Sequence, residues 1–132
     1  MKQLISGIAA VVLICCSLLA QGQDDSSDNA FYNGVKAYRA YQYDEAAQWF
    51  LQAAEEGDAE AQFLLGRMHY DGNSLSIDNV TAYMWFDIAA ENGLPVGMRY
   101  RDGIAKRMSD DEVRLARQRA EAWRSAHPPE PR

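Results

Sequence analysis

One twelve-residue phrase occurs twice in this chain, and it restricts the fold more than any other feature. "AAQWFLQAAEEG" (Ala46–Gly57) returns thirty-six residues later as "AYMWFDIAAENG" (Ala82–Gly93), with seven of the twelve positions identical in register. Ala46, Trp49, Phe50, Ala53 and Ala54 fall at i, i+3, i+4, i+7 and i+8, which is one apolar stripe on an α-helix. Ala82, Trp85, Phe86, Ala89 and Ala90 repeat it. Gly57 and Gly93 each close the stripe, as glycines do just past a helix end. A period of this length in so short a chain signals a solenoid, whose units must stack to bury their apolar faces.

The other segments read as helices as well. "AFYNGVKAYRAY" (Ala30–Tyr41) precedes the first phrase, and "AEAQFLLGRMHYDG" (Ala59–Gly72) precedes the second. Pro95 suits a first helical position, and "PVGMRYRDGIAKRM" reads as a weaker helix interrupted by Gly103. Ser109 and Glu112 form a capping box at the head of "SDDEVRLARQRAEAWRSA". Asp44 and Asp78 stand where a carboxylate meets a helix start. No alternating strand pattern is present. The expected fold is all-α: a short solenoid of about three antiparallel helix pairs over 30–126.

Residues 1–29 read differently. Lys2, the apolar run Leu4–Ala20 and the polar "QGQDDSSD" have the layout of a secretory signal peptide with cleavage after Gly22. Residues 23–29 read as a disordered linker, and 127–132 as a flexible tail. A retained membrane anchor is the alternative, although the run is short for a span of about 20 residues. Both cysteines, Cys15 and Cys16, lie in this run. Cleavage would leave a periplasmic or secreted chain without thiols or disulfides. A membrane partner is expected only if the segment stays.

Charge divides unevenly along the chain. Gln23–Met98 holds thirteen acids and three bases; Arg99–Arg132 holds nine bases and six acids. An acidic body argues against nucleic-acid binding.

The helix pairs resemble tetratricopeptide units. Ala46-x-x-x-Phe50 and Ala82-x-x-x-Phe86 supply the second-helix pattern, and Leu65-Gly66-x-x-His69 the first-helix pattern, with Gly34 as the matching glycine of the first pair. Gly or Ala on one helix lets a large residue of its partner approach closely. Gly66 and Ala82 lie sixteen residues apart, against twelve for Gly34 and Ala46, so the second connection is longer by four. "AQFLLGRMHYDG", Asp78 and "AYMWFDIAAENG", with the junction "AAEEGDAEAQ" and the closing "MSDDEVRLARQRAEAW", make the chain similar to the Sel-one-like repeats. Arg101 and Asp102 replace the Leu-Gly pair in the third unit, which therefore reads as a cap. Ser74–Ile77 departs from the family's loop, and His69 stands for its usual tyrosine.

What the resemblance implies is a non-enzymatic scaffold or adaptor. The residues outside 1–22 contain no Cys-x-x-Cys, His-x-x-x-His or phosphate loop, so no cofactor, metal site or catalytic residue is expected. His69 reads as a packing residue and His127 as part of the Pro-rich tail. Trp49 and Trp85 read as core or repeat-interface residues. Asn79-Val80-Thr81 matches a glycosylation acceptor of low specificity. First helices line the concave side of such solenoids. Glu60, Phe63, Arg67 and Tyr70 on the second unit, with Tyr38 and its neighbours Phe31 and Val35 on the first, are the expected partner-binding face for a protein or peptide. Aromatics beside arginine suit binding hot spots. The alternatives are a small secreted hydrolase or cell-wall-ligand binder, and a membrane-tethered regulator.

Overall fold

A computed structural model describes residues 26–72 and 75–129; the expected signal segment, the first residues of the expected linker and residues 130–132 lie outside them. The described residues form six α-helices and no strand: α1 (Ser26–Arg39), α2 (Tyr43–Glu55), α3 (Ala59–Asp71), α4 (Asn79–Glu91), α5 (Pro95–Ala105) and α6 (Asp110–Ala126). The chain is an all-α solenoid. α1 begins four residues before the periodicity at Ala30 placed it, so part of the expected linker is helical. α5 runs through Gly103 without a break; that glycine lies on an open face with no neighbour against it.

The first two pairs are locked by the contacts that the repeated spacing implied. A Cβ on Gly34 would lie 2.6 Å from the Phe50 ring, and one on Gly66 would lie 2.7 Å from the Phe86 ring. Both phenylalanines are fully buried. Bare glycine faces let α1 close on α2 and α3 close on α4. α5 uses another position. A Cβ on Gly97 would meet the Phe86 carbonyl oxygen at 2.6 Å. Gly97 corresponds to Ala61 by the 36-residue register, so the third unit moves its small residue by one turn. α4 is the hub, packed against α3, α5 and α6.

Turn chemistry sets the junctions. Gly57 and Gly93 follow α2 and α4 at φ +94° and +99°, a left-handed conformation that costs glycine little. Asp58 caps α3 through the Ala61 amide at 2.9 Å. Gln62 is fully buried; its amide nitrogen donates to the Ala54 carbonyl at 3.0 Å, and its oxygen accepts from Asn92 at 2.9 Å. One side chain thus ties the ends of α2 and α4 to α3, so its burial is compensated. Asp78 caps α4, accepting from the Thr81 amide at 3.0 Å and the Thr81 hydroxyl at 2.7 Å. Asp44 lies instead in the first turn of α2, with Gln42 at the cap position. The Ser109–Glu112 capping box is present.

The tryptophans differ in burial for a topological reason. Trp85 is buried and meets Trp123 of α6 edge-on at 5.6 Å. Trp49 stays half-buried, its indole N–H 3.4 Å from Glu45 Oε1. Among the described residues no unit precedes α1 to cover it. His127, the first residue of the expected tail, stacks on Trp123 at 4.1 Å.

Two stability predictions follow from these contacts. Gly66→Ala should lose about 1–3 kcal/mol by overpacking against Phe86, while Gly103→Ala should gain up to about 1 kcal/mol; urea midpoints at equal slope distinguish them. The Asp78 carboxyl works against its own burial, but the Thr81 hydroxyl and amide hold it below the ordinary range. A depressed folded value means that the cap contributes above the unfolded pKa and is lost as pH falls. Asp78→Ala should therefore cost about 1 kcal/mol at pH 7, and the difference from the parent should begin to shrink as pH falls below about 4 and be lost once pH passes below the depressed folded value.

Candidate partner-binding surface

α1, α3 and α5 are the first helices of the three units, and their outer sides form one strip. On α3, Glu60, Phe63, Arg67 and Tyr70 are spaced at i, i+3, i+7 and i+10, so they share a face. Arg67 binds Asp71 one turn on at 3.1 Å. Burial works against its charge, yet the hydrogen bond and negative charge of Asp71 hold the guanidinium above its usual value, with the phenols of Tyr38 and Tyr100 adding to the effect. Tyr38 stands edge-on to Tyr43 at 5.1 Å.

Phe63 and Tyr70 have a dual position. The Phe63 ring lies 5.1 Å from Tyr100 at 85° and 5.6 Å from Phe86. Tyr70 lies 6.5 Å from Tyr100, also near perpendicular. The two contacts with Tyr100 are edge-to-face, of the favoured kind, and they join the second unit to the third. Both residues are half-buried, so they anchor the strip and offer a partner only part of their surface. Glu60 stands exposed at the head of α3.

Sequence reasoning passed over α5's share of the strip. Arg107 donates to the Tyr70 hydroxyl at 2.6 Å and lies 5.4 Å from the Tyr70 ring centroid. Tyr70, Arg99, Tyr100 and Arg107 border a cavity of about 460 Å³ beside Gly103. The 36-residue register contained the signal: it carries Leu64 onto Tyr100 and Phe63 onto Arg99. With Arg101 and Asp102 at the Leu-Gly positions, this helix lacks the mark of a first helix.

The opposite side of the third unit is closed by charge. Buried Asp87 receives Arg101 at 2.7 Å and Arg124 at 2.5 Å. Arg124 Nε also lies 2.6 Å from Glu91, an ion pair off-axis for a hydrogen bond. Burial opposes the charge of Arg101, but bonds to Asp87 and Asp102 hold its pKa above the usual value. Arg117 is raised by its bond to the Tyr83 hydroxyl, 3.1 Å long. Among the described residues no group of three or more His, Cys, Asp or Glu side chains is arranged to hold a metal ion.

Stacked helix pairs with a polar–aromatic strip define a repeat module of the kind that mediates contacts between proteins. The Sel1 repeat model matches residues 27–58 and 59–94, just over half of the chain. The chain belongs to the Sel1 repeat family, whose members generally mediate protein–protein interaction and are typically non-enzymatic. It is similar to an exopolysaccharide production negative regulator of Rhizobium leguminosarum bv. viciae, with 31% identity over 67 residues, 51% of this chain and 25% of the relative. The crystal structure of a protective antigen of uropathogenic Escherichia coli with an SLR fold superposes at TM-score 0.71 and 26% identity, over 83% of this chain and 24% of that one. The chain thus spans about a quarter of the length of either relative.

The strip's residues should separate by stability. Phe63→Ala should cost about 2 kcal/mol or more through lost aromatic packing. Arg67→Ala, whose ion pair is 43% exposed on the arginine side, should cost under about 0.5 kcal/mol. Thermal unfolding of the two variants checks this.

Proposed function

We propose that this protein is a non-enzymatic adaptor that binds a partner protein or peptide along the strip formed by α1, α3 and α5. The observation that carries the reading is the continuity of the strip. Phe63 and Tyr70 of the second unit meet Tyr100 of the third edge-on, and Arg107 reaches across to the Tyr70 hydroxyl. Such a surface combines rigid aromatic edges with a guanidinium already oriented by Asp71, which lowers the entropic cost of binding. Phe63 and Tyr70 set the spacing of the strip, while Glu60, Arg67, Arg99 and Arg107 make its polar contacts.

The setting we infer is the cell envelope, supported by the signal-like layout of the first 22 residues. A role in regulation is supported by the relative described as a negative regulator of exopolysaccharide production. In such a role the protein would act by holding a partner, with no bond made or broken.

Site-specific photocrosslinking in the producing cell tests this reading. A photoreactive residue at Glu60 or Arg67 should give a discrete higher-mass adduct, and one at Arg119 on α6 should not. Adducts of equal yield from all three positions, or none from Glu60 and Arg67, would overturn it.

A further inference from the structure

The 36-residue register compares the same place on two first helices. It carries Arg67 onto Gly103 and Asp71 onto Arg107. On α3 that place is filled by the unit's own ion pair, Arg67 with Asp71 at 3.1 Å. On α5 a glycine stands where the cation stood, and a cation stands where the carboxylate stood. A Cβ on Gly103 would meet nothing within 4 Å. The result is the cavity of about 460 Å³ that Tyr70, Arg99, Tyr100, Ile104 and Arg107 border around Gly103.

No carboxylate borders this cavity. Asp102, next to Gly103 in the chain, is turned to Arg101 at 3.0 Å, and Asp71 is taken by Arg67. Among the described residues neither Arg99 nor Arg107 forms an ion pair, whereas Arg67, Arg101, Arg114 and Arg124 each do. Arg107 uses one N–H on the Tyr70 hydroxyl, which orients the guanidinium and leaves its other donors unused. On the α4–α5–α6 side the fold supplies its own counter-charge, for Asp87 and Glu121 border that cavity with Arg101, Arg117 and Arg124. There Asp87 and Arg101 stand, by register, where Leu51 and Leu65 line the apolar α2–α3–α4 groove. Two oriented guanidiniums on one concavity without an internal anion match an external carboxylate.

Spacing says what form the partner takes. Arg99 and Arg107 are two helical turns apart, about 12 Å along the axis of α5, with Gly103 midway. Residues i and i+4 of an extended chain lie about 13 Å apart and point the same way, as does residue i+2 between them. An extended segment with acids at i and i+4 therefore reaches both guanidiniums, and its i+2 side chain falls on the bare surface of Gly103. An aromatic residue there meets the exposed parts of Tyr70 and Tyr100.

We propose that the cavity on α5 docks an extended acidic segment of a partner protein, with an aromatic residue centred between two carboxylates. One carboxylate pairs with Arg99, the other pairs with Arg107, and the aromatic ring covers Gly103. The partner thus supplies the negative charge that Asp71 supplies from within the chain one unit earlier. This inference rests on the adaptor reading above and adds the chemistry of the partner.

The test is fluorescence anisotropy with the full chain and a short dye-labelled peptide carrying Glu-Ser-Phe-Ser-Glu at its centre. Saturable binding is expected. One more serine between the phenylalanine and the second glutamate turns that acid away, and should weaken binding at least about fivefold. Arg99→Glu and Arg107→Glu, both at exposed positions, should each weaken it at least about tenfold. Lysine in place of one glutamate should restore binding to the first variant, and lysine in place of the other glutamate to the second. Gly103→Leu keeps α5 helical, since leucine is the better helix former, and by filling the cavity should weaken binding at least about fivefold. Arg119→Glu on α6, outside the cavity, should change it by less than about twofold. The proposal is overturned if the peptide does not bind, if the respaced peptide binds as well, or if Gly103→Leu binds like the parent. It is equally overturned if the two arginine variants are rescued by the same lysine peptide or by neither. Tighter binding of an oligogalacturonate at these arginines overturns it in favour of an acidic glycan. Crosslinks from Glu60 or Arg67 in the cell, with no binding of the peptide, sink this proposal and leave the adaptor reading standing. Peptide binding without those crosslinks sinks the adaptor reading of the strip instead.

Discussion

A phenyl ring pressed on a bare glycine is the contact on which this molecule depends. Helix pairs can share a buried seam only if one surface is flat enough for the other to enter. Gly34 accepts Phe50 and Gly66 accepts Phe86, at separations that leave no room for a methyl group. Phe86 then serves a second unit, because Gly97 of α5 lies against its carbonyl. Removing a fully buried phenyl group from such a site costs about 3–5 kcal/mol, a large share of what a domain of this size possesses. The alanines on the stripes serve the same end, for they keep the helices near while the rings fill the space between.

Everything outward from this seam is a consequence of stacking. The first unit has no neighbour on its N-terminal side among the described residues, so Trp49 is half-covered where Trp85 is buried. The last described unit carries ions: Asp87 and its two arginines occupy the place where an earlier unit keeps leucines. Buried ion pairs of this kind gain little net stability. Their effect here is to make the α4–α5–α6 groove polar while the α2–α3–α4 groove stays apolar.

The helix order, the glycine–phenylalanine pairing and the capping box were legible in the sequence, because each is a local pattern with a fixed geometric meaning. The position of α5 was not. Its close approach uses Gly97, which the Leu-Gly pattern does not mark, and the contact partner is a backbone oxygen that no sequence motif displays. The strip was half legible. Spacing put Glu60, Phe63, Arg67 and Tyr70 on one face of α3, yet the edge-on rings of Tyr100 and the reach of Arg107 depend on how α5 crosses it. Spacing also could not say that Phe63 and Tyr70 are half-committed to packing.

Amide hydrogen exchange of the intact protein tests the central claim most directly, because it reads the opening energy of each helix separately. If the Gly66–Phe86 seam and the hub position of α4 hold the solenoid together, amides of Ala82–Ala89 should exchange only through global unfolding, with those of α1 and the end of α6 exchanging sooner. Exchange in α4 as fast as in α1 or α6 would contradict the account.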